Sequence, residues 1–105
     1  MNETVYVDLL GDEIILTDAV RDLVVLKHPE VADWLPDLEI VLRDPDEIRQ
    51  SDRSSWTILY CRVAPDSNYS VVVVVQQLDL NMISTIYLAA REPGHSGEVL
   101  WQKNA

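Results

Sequence analysis

Alternation opens the chain. Val5 and Val7 interleave with Tyr6 and Asp8, Gly11-Asp12 follows, and a second apolar patch stands at Ile14-Ile15-Leu16, which predicts a short N-terminal hairpin. The period then changes. Thr17 offers an N-cap hydroxyl and Asp18 an early acid, and Val20, Leu23 and Val24 recur at helical spacing, with Lys27 beyond them, predicting a helix over about 18 to 27. Pro29 ends that helix and suits the first turn of another, leaving His28 at a corner. From there Val31, Trp34, Leu35, Leu38, Val41 and Leu42 form a stripe one helix face wide, with Glu30, Asp33, Asp37 and Glu39 largely opposite. Pro36 falls inside this stripe and should kink or divide it.

Asp44-Pro45-Asp46 signals a turn, and the polar stretch through Ser55 reads as an exposed loop with one helical turn around Asp46 to Arg49. Beyond it the period is two. Trp56 to Val63, Tyr69 to Gln76 and Met82 to Ala89 are β-rich runs with short connections, hence an antiparallel meander. The middle run alternates least, as a central strand covered on both faces would. Met82 to Ala89 sets Ile83, Thr85 and Tyr87 against Met82, Ser84 and Ile86. Glu98 to Trp101 adds one last short strand. The expected fold class is α+β: two N-terminal helices packed on one face of an antiparallel sheet, preceded by the hairpin.

Composition narrows the function classes. The 105 residues suit one domain, 1–105. A net charge of -10 argues against a duplex DNA groove or an anionic membrane surface, while leaving room for a local pocket. The acids are unevenly spread, since between Arg53 and Arg91 only Asp66 and Asp79 occur. Val71 to Val75 is the longest apolar run, far below the ~20 residues of a membrane helix, and a basic, apolar leader is missing, so a cytoplasmic protein is expected. Cys61 stands alone, and no Cys/His cluster, EF-hand spacing, glycine-rich phosphate loop or nucleophile elbow is written, so neither metal nor cofactor is expected.

The order His28-Pro29-Glu30, an apolar helix, Asp44-Pro45-Asp46-Glu47-Ile48-Arg49-Gln50-Ser51, a strand with Tyr60 and Arg62, a Val-rich strand, Ser84-Thr85-Ile86-Tyr87, and a closing Gly97 with Trp101 resembles a known group. It is similar to the small phage and bacterial proteins classed with RelE, barnase, EndoU and the nuclease colicins, over about residues 14 to 102. The resemblance implies two helices followed by a curved sheet of about four antiparallel strands, and metal-independent RNA cleavage by a toxin or phage effector. It places His28 and Glu30 in the helix-corner motif, Arg62 in the first long strand, and Thr85 and Tyr87 in a Thr-Ala-Tyr-like motif. Many relatives carry another His five residues before the corner, where this chain has Leu23.

Cleavage without metal needs a group to take the 2′-hydroxyl proton, a group to protonate the leaving oxygen, and donors for the charge growing on phosphate. His28 suits either proton transfer, while a corner histidine hydrogen-bonded to nearby carbonyls or to Glu30 accounts for it somewhat better. Glu30 is a base only if burial raises its pKa, and its place at a helix start already accounts for it. Arg62 needs an anion or a solvent edge, which phosphate or an ion pair would supply. Thr85 and Tyr87 share a strand face and could meet a substrate together or simply pack there. Arg43, Arg49 and Arg53 lie near the loop at 44 to 55, where they could reach phosphates, though Asp44, Asp46, Glu47 and Asp52 neutralise them locally, and His95 is a candidate substitute for the histidine missing at 23. Two functions stay open: an RNA endonuclease, with or without an antitoxin, and a catalytically degenerate acidic domain of the same fold that binds a basic protein partner.

Overall fold

The computed structural model describes residues 2–65, 68–90 and 96–103. The N-terminal hairpin forms as expected. β1 (Glu3–Val7) and β2 (Glu13–Thr17) pair antiparallel about a turn where Gly11 takes φ 88, a left-handed conformation suited to glycine. Asp8 organises that turn, its Oδ1 accepting from the amides of Leu10 and Asp12 at 2.9 Å each.

Thr17 caps α1 (Asp18–Lys27), accepting from the Val20 amide at 3.2 Å. The stripe after Pro29 is divided, as Pro36 requires. Pro29–Asp37 winds as a 3₁₀ segment, and α2 (Leu38–Arg43) continues it. Val24, Val31, Leu38, Val41 and Leu42 are buried against the sheet. Among the described residues no helix is long and apolar enough to cross a membrane.

The sheet corrects the expected fold class. Instead of about four antiparallel strands beneath two helices, seven strands form one mixed sheet in the order β1-β2-β6-β5-β4-β3-β7. The meander is there as β4 (Thr57–Val63), β5 (Tyr69–Gln77) and β6 (Asn81–Ala90), with β5 central. The hairpin joins it by a parallel bridge, Ile15 to Met82. The supposed loop with a helical turn contains β3 (Glu47–Ser51), which pairs with β4 and buries Ile48 opposite Tyr60. Its polar residues hid it, because one apolar side chain gives no period. The closing strand β7 (Ser96–Gln102) is longer than expected and pairs with β3. Gly97 permits that approach, since a Cβ there would lie 2.6 Å from the Gln50 carbonyl oxygen.

Strand pairing assigns the faces. Ile58, Val75 and Ile83, then Tyr60, Val73 and Ile86, then Arg62, Val71 and Leu88 make cross-strand rows on the helix-covered face. Leu59, Val74 and Thr85, then Cys61, Val72 and Tyr87, make rows on the other. A bulge corrects the expected alternation in β6. Val74 pairs with Thr85 but Val75 with Ile83, so Ser84 is extra, and Ile83 faces the helices while Thr85 and Tyr87 face away.

The sheet is also strongly coiled. Five residues join Ala90, at one end of β6, to Ser96, at the opposite end of β7. They reach at most about 21 Å, whereas four flat strand spacings already amount to ~19 Å sideways, with a strand's length still to cover. Only twist and coiling bring such diagonal corners together.

Candidate functional site

The helix-free face carries a small apolar floor and a polar groove. Leu59, Cys61 and Val72 are buried there, with Val74, Tyr87 and Ala89 packed around them. Above this floor lies a groove of about 470 Å³ lined by Ser51, Arg53, Ser54, Thr57, Leu59, Val74, Gln76, Ser84, Thr85 and Tyr87. Six of those side chains bear hydroxyls, and none is acidic. In a protein of net charge -10 the groove's described lining is locally exceptional.

The loop from Ser51 to Thr57 is built rather than slack. Gln50 Nε2 donates to the carbonyls of Ser54 at 2.8 Å and Thr57 at 3.0 Å, pinning both ends of the bend. Ser51 Oγ accepts from the Arg53 amide at 3.1 Å, and Thr57 Oγ1 lies 3.0 Å from Ser54 Oγ. Arg53 projects from this frame, exposed and without an ion pair among the described residues. The other two arginines of the region are neutralised, Arg43 by Glu39 at 3.2 Å and Arg49 by Glu47 at 2.7 Å.

The helix corner meets the groove through Tyr87. Because β2 bridges β6 only at Met82, the Tyr87 end of β6 lies open to the helical layer. The His28 ring stands there, its centroid 6.4 Å from that of Tyr87, and His28 Nδ1 is 3.7 Å from Glu30 Oε1. Both side chains remain partly exposed, at 38% and 49%. Burial, then the Cys61 sulfur, pushes the Tyr87 phenol up to about 12, while the Arg53 charge pulls it back. Tyr87 is therefore a neutral hydrogen-bonding group near pH 7. Burial likewise pushes the Cys61 thiol up to about 12, which leaves it a packing residue there.

Of the five residues singled out in the sequence, Thr85 and Tyr87 line the groove, His28 stands beside Tyr87, and Glu30 meets His28. Arg62 lies in a row on the opposite face, where Nη1 donates to the Asp44 carbonyl and meets Asp44 Oδ2 at 3.0 Å. Lys103 Nζ grips the same carboxylate at 2.8 Å, and these two partners, Lys103 first, hold Asp44 below the usual carboxylate range. Arg62 thus ties β4 to the turn after α2, beside a cavity of about 150 Å³ lined by Trp34, Asp37, Ile40, Val41 and Pro65. An arginine on an apolar strand row signals an anion partner, and here the protein supplies it.

The sequence names Arg53 only together with Arg43 and Arg49 as able to reach phosphate, without separating it from them. Its signal was Ser51 and Ser54 flanking it just before a strand, obscured by Asp52 and the neighbouring charges. His95 falls outside the described residues. Among the described residues no three His, Cys, Asp or Glu side chains gather where they could hold a metal ion. Comparison with protein-family models, curated proteins and solved structures found no match.

Proposed function

We propose that the protein is a cytoplasmic, metal-independent RNA endonuclease whose substrate lies in the groove on the helix-free sheet face. The observation that carries this reading is the convergence of Tyr87, Thr85 and Arg53 on a groove with no acid among its described lining residues, with His28 beside Tyr87. In the proposed step the 2′-oxygen attacks the adjacent phosphorus, the bond to the 5′-oxygen breaks, and a 2′,3′-cyclic phosphate is left. His28 takes the 2′-hydroxyl proton, with Glu30 as its charge partner, and water protonates the departing 5′-oxygen. Tyr87, neutral and half-buried, donates a hydrogen bond to the phosphate or stacks on a base, and Thr85 adds a hydroxyl donor. The resemblance to the barnase- and RelE-like nucleases supports the reaction class through His28, Glu30, Thr85 and Tyr87, and gives no support through Arg62.

Incubation of purified protein with single-stranded RNA in excess chelator tests this. Cleavage to cyclic-phosphate ends is expected, falling about 100-fold or more in His28→Ala. Intact RNA would remove the endonuclease reading, and cleavage indifferent to His28 would remove the catalytic role given to that residue.

A second reading, a catalytically silent domain that binds a basic protein, has its own observation. Residues 2–43, the hairpin and helical layer, hold ten acids and three bases. Such a field would speed association with a basic partner, an antitoxin among them. Inactive protein that recovers a basic partner by a strongly salt-dependent contact is the outcome expected on this reading.

A further inference from the structure

We infer that Arg53 is the single phosphate-seating cation of the groove, so that the protein grips one backbone phosphate of a short single strand. This rests on the groove being an RNA site. Three features lead to it. Arg62, the cation to which the sequence pointed, is held by Asp44 on the opposite face, and Arg49 is paired with Glu47, so neither offers an open guanidinium to the groove. Arg53 alone is charged among the described residues that line the groove. Its loop is fixed by Gln50, Ser51 and Ser54, so the guanidinium is carried on a framed bend rather than on a slack chain.

The surroundings match one phosphate better than many. Ser51, Ser54 and Thr57 line the groove on the Arg53 side and Ser84, Thr85 and Tyr87 line it across from there, Thr57 donating to Ser54 Oγ and Ser84 to the Val74 carbonyl, with Leu59 and Val74 as an apolar floor. Hydroxyls and one guanidinium suit a phosphate oxygen set flanked by a ribose, with a base resting on the floor or on Tyr87. A duplex needs a stripe of cations along its backbone, and the -10 field around the groove opposes that. The charge of Arg53 also reaches Tyr87, opposing the rise in its pKa, so guanidinium and phenol act on the same space.

The salt dependence of binding measures the number of phosphates seated. A fluorescent 2′-O-methyl hexanucleotide, which lacks the attacking hydroxyl, is titrated by anisotropy at several salt concentrations with the native chain, Arg53→Gln, Arg53→Lys and Arg43→Gln. Arg43→Gln removes an equal charge from the exposed side of α2. One seated phosphate gives a slope of log affinity on log salt of about -0.7, or roughly 2.5-fold between 50 and 200 mM. Arg53→Gln is expected to bind about tenfold more weakly with its slope near zero, and Arg53→Lys and Arg43→Gln to keep the slope. If the native chain binds and Arg53→Gln matches it in affinity and slope, this inference is overturned while the groove reading stands. If the native chain neither binds nor cleaves RNA, both fall.

Discussion

A tyrosine hydroxyl adds a polar tie between the hairpin and the meander, inside the apolar core that Ile14 and Leu16 share with the meander strands. Tyr60 Oη donates to Asp8 Oδ2 at 2.6 Å inside the core, while the other oxygen of Asp8 holds the β1–β2 turn. Tyr60→Phe strands a buried carboxylate oxygen, so a loss of about 1–3 kcal/mol is expected in urea unfolding, with the turn loosened. Burial, with Asp8 second, holds the Tyr60 proton far above its ordinary range, and Cys61 and Tyr87 are each pushed up to about 12. The unfolded chain releases these protons first, near pH 9 for the thiol and 10 for the phenols. Stability is therefore fully present below pH 9 and falls as pH rises toward 12. Urea midpoints measured from pH 7 to 10.5 should drop, and Cys61→Ala should flatten the first part of that drop. At this scale the sequence conveyed residue types but not partners. It treated Arg43, Arg49 and Arg53 alike, whereas the backbone puts Glu39 and Glu47 beside the first two and groove hydroxyls beside the third.

Elements with a strong period were legible and those without one were not. α1 and the meander follow from spacing, and the division after Pro29 follows from Pro36. β3 escaped because Glu47, Arg49, Gln50 and Ser51 satisfy themselves through side-chain bonds and strand pairing rather than burial. The bulge at Ser84 escaped because alternation cannot register an inserted residue, yet it is what sends Thr85 and Tyr87 to the groove while Ile83 and Ile86 stay in the core. β7 depends on one glycine. Gly97→Ala places a methyl against the Gln50 carbonyl, so a loss of about 1–3 kcal/mol is expected, together with faster amide exchange across β3 and β7. The hairpin should be the least protected part of the sheet, being joined to β6 by a single bridge. Exchange rates ranked β1 and β2 fastest and β5 slowest would bear this out; a hairpin as protected as β5 would contradict it.

Across the whole molecule, acid is unevenly distributed. Hairpin and helices hold ten of the eighteen acids, and the groove on the helix-free face of the sheet has hydroxyls and no acid among its described lining residues. Composition conveyed the excess of acid and its thinning after Arg53, but only the seven-strand order turns that thinning into a surface. The direct test is to titrate isotopically labelled protein with the 2′-O-methyl hexanucleotide and follow backbone amide shifts. Perturbation confined to Ser51–Thr57, Gln76 and Ser84–Tyr87, reaching His28, is the predicted result. Shifts centred on α1 and the hairpin, with the groove silent, would contradict the assignment of the functional site to the helix-free face.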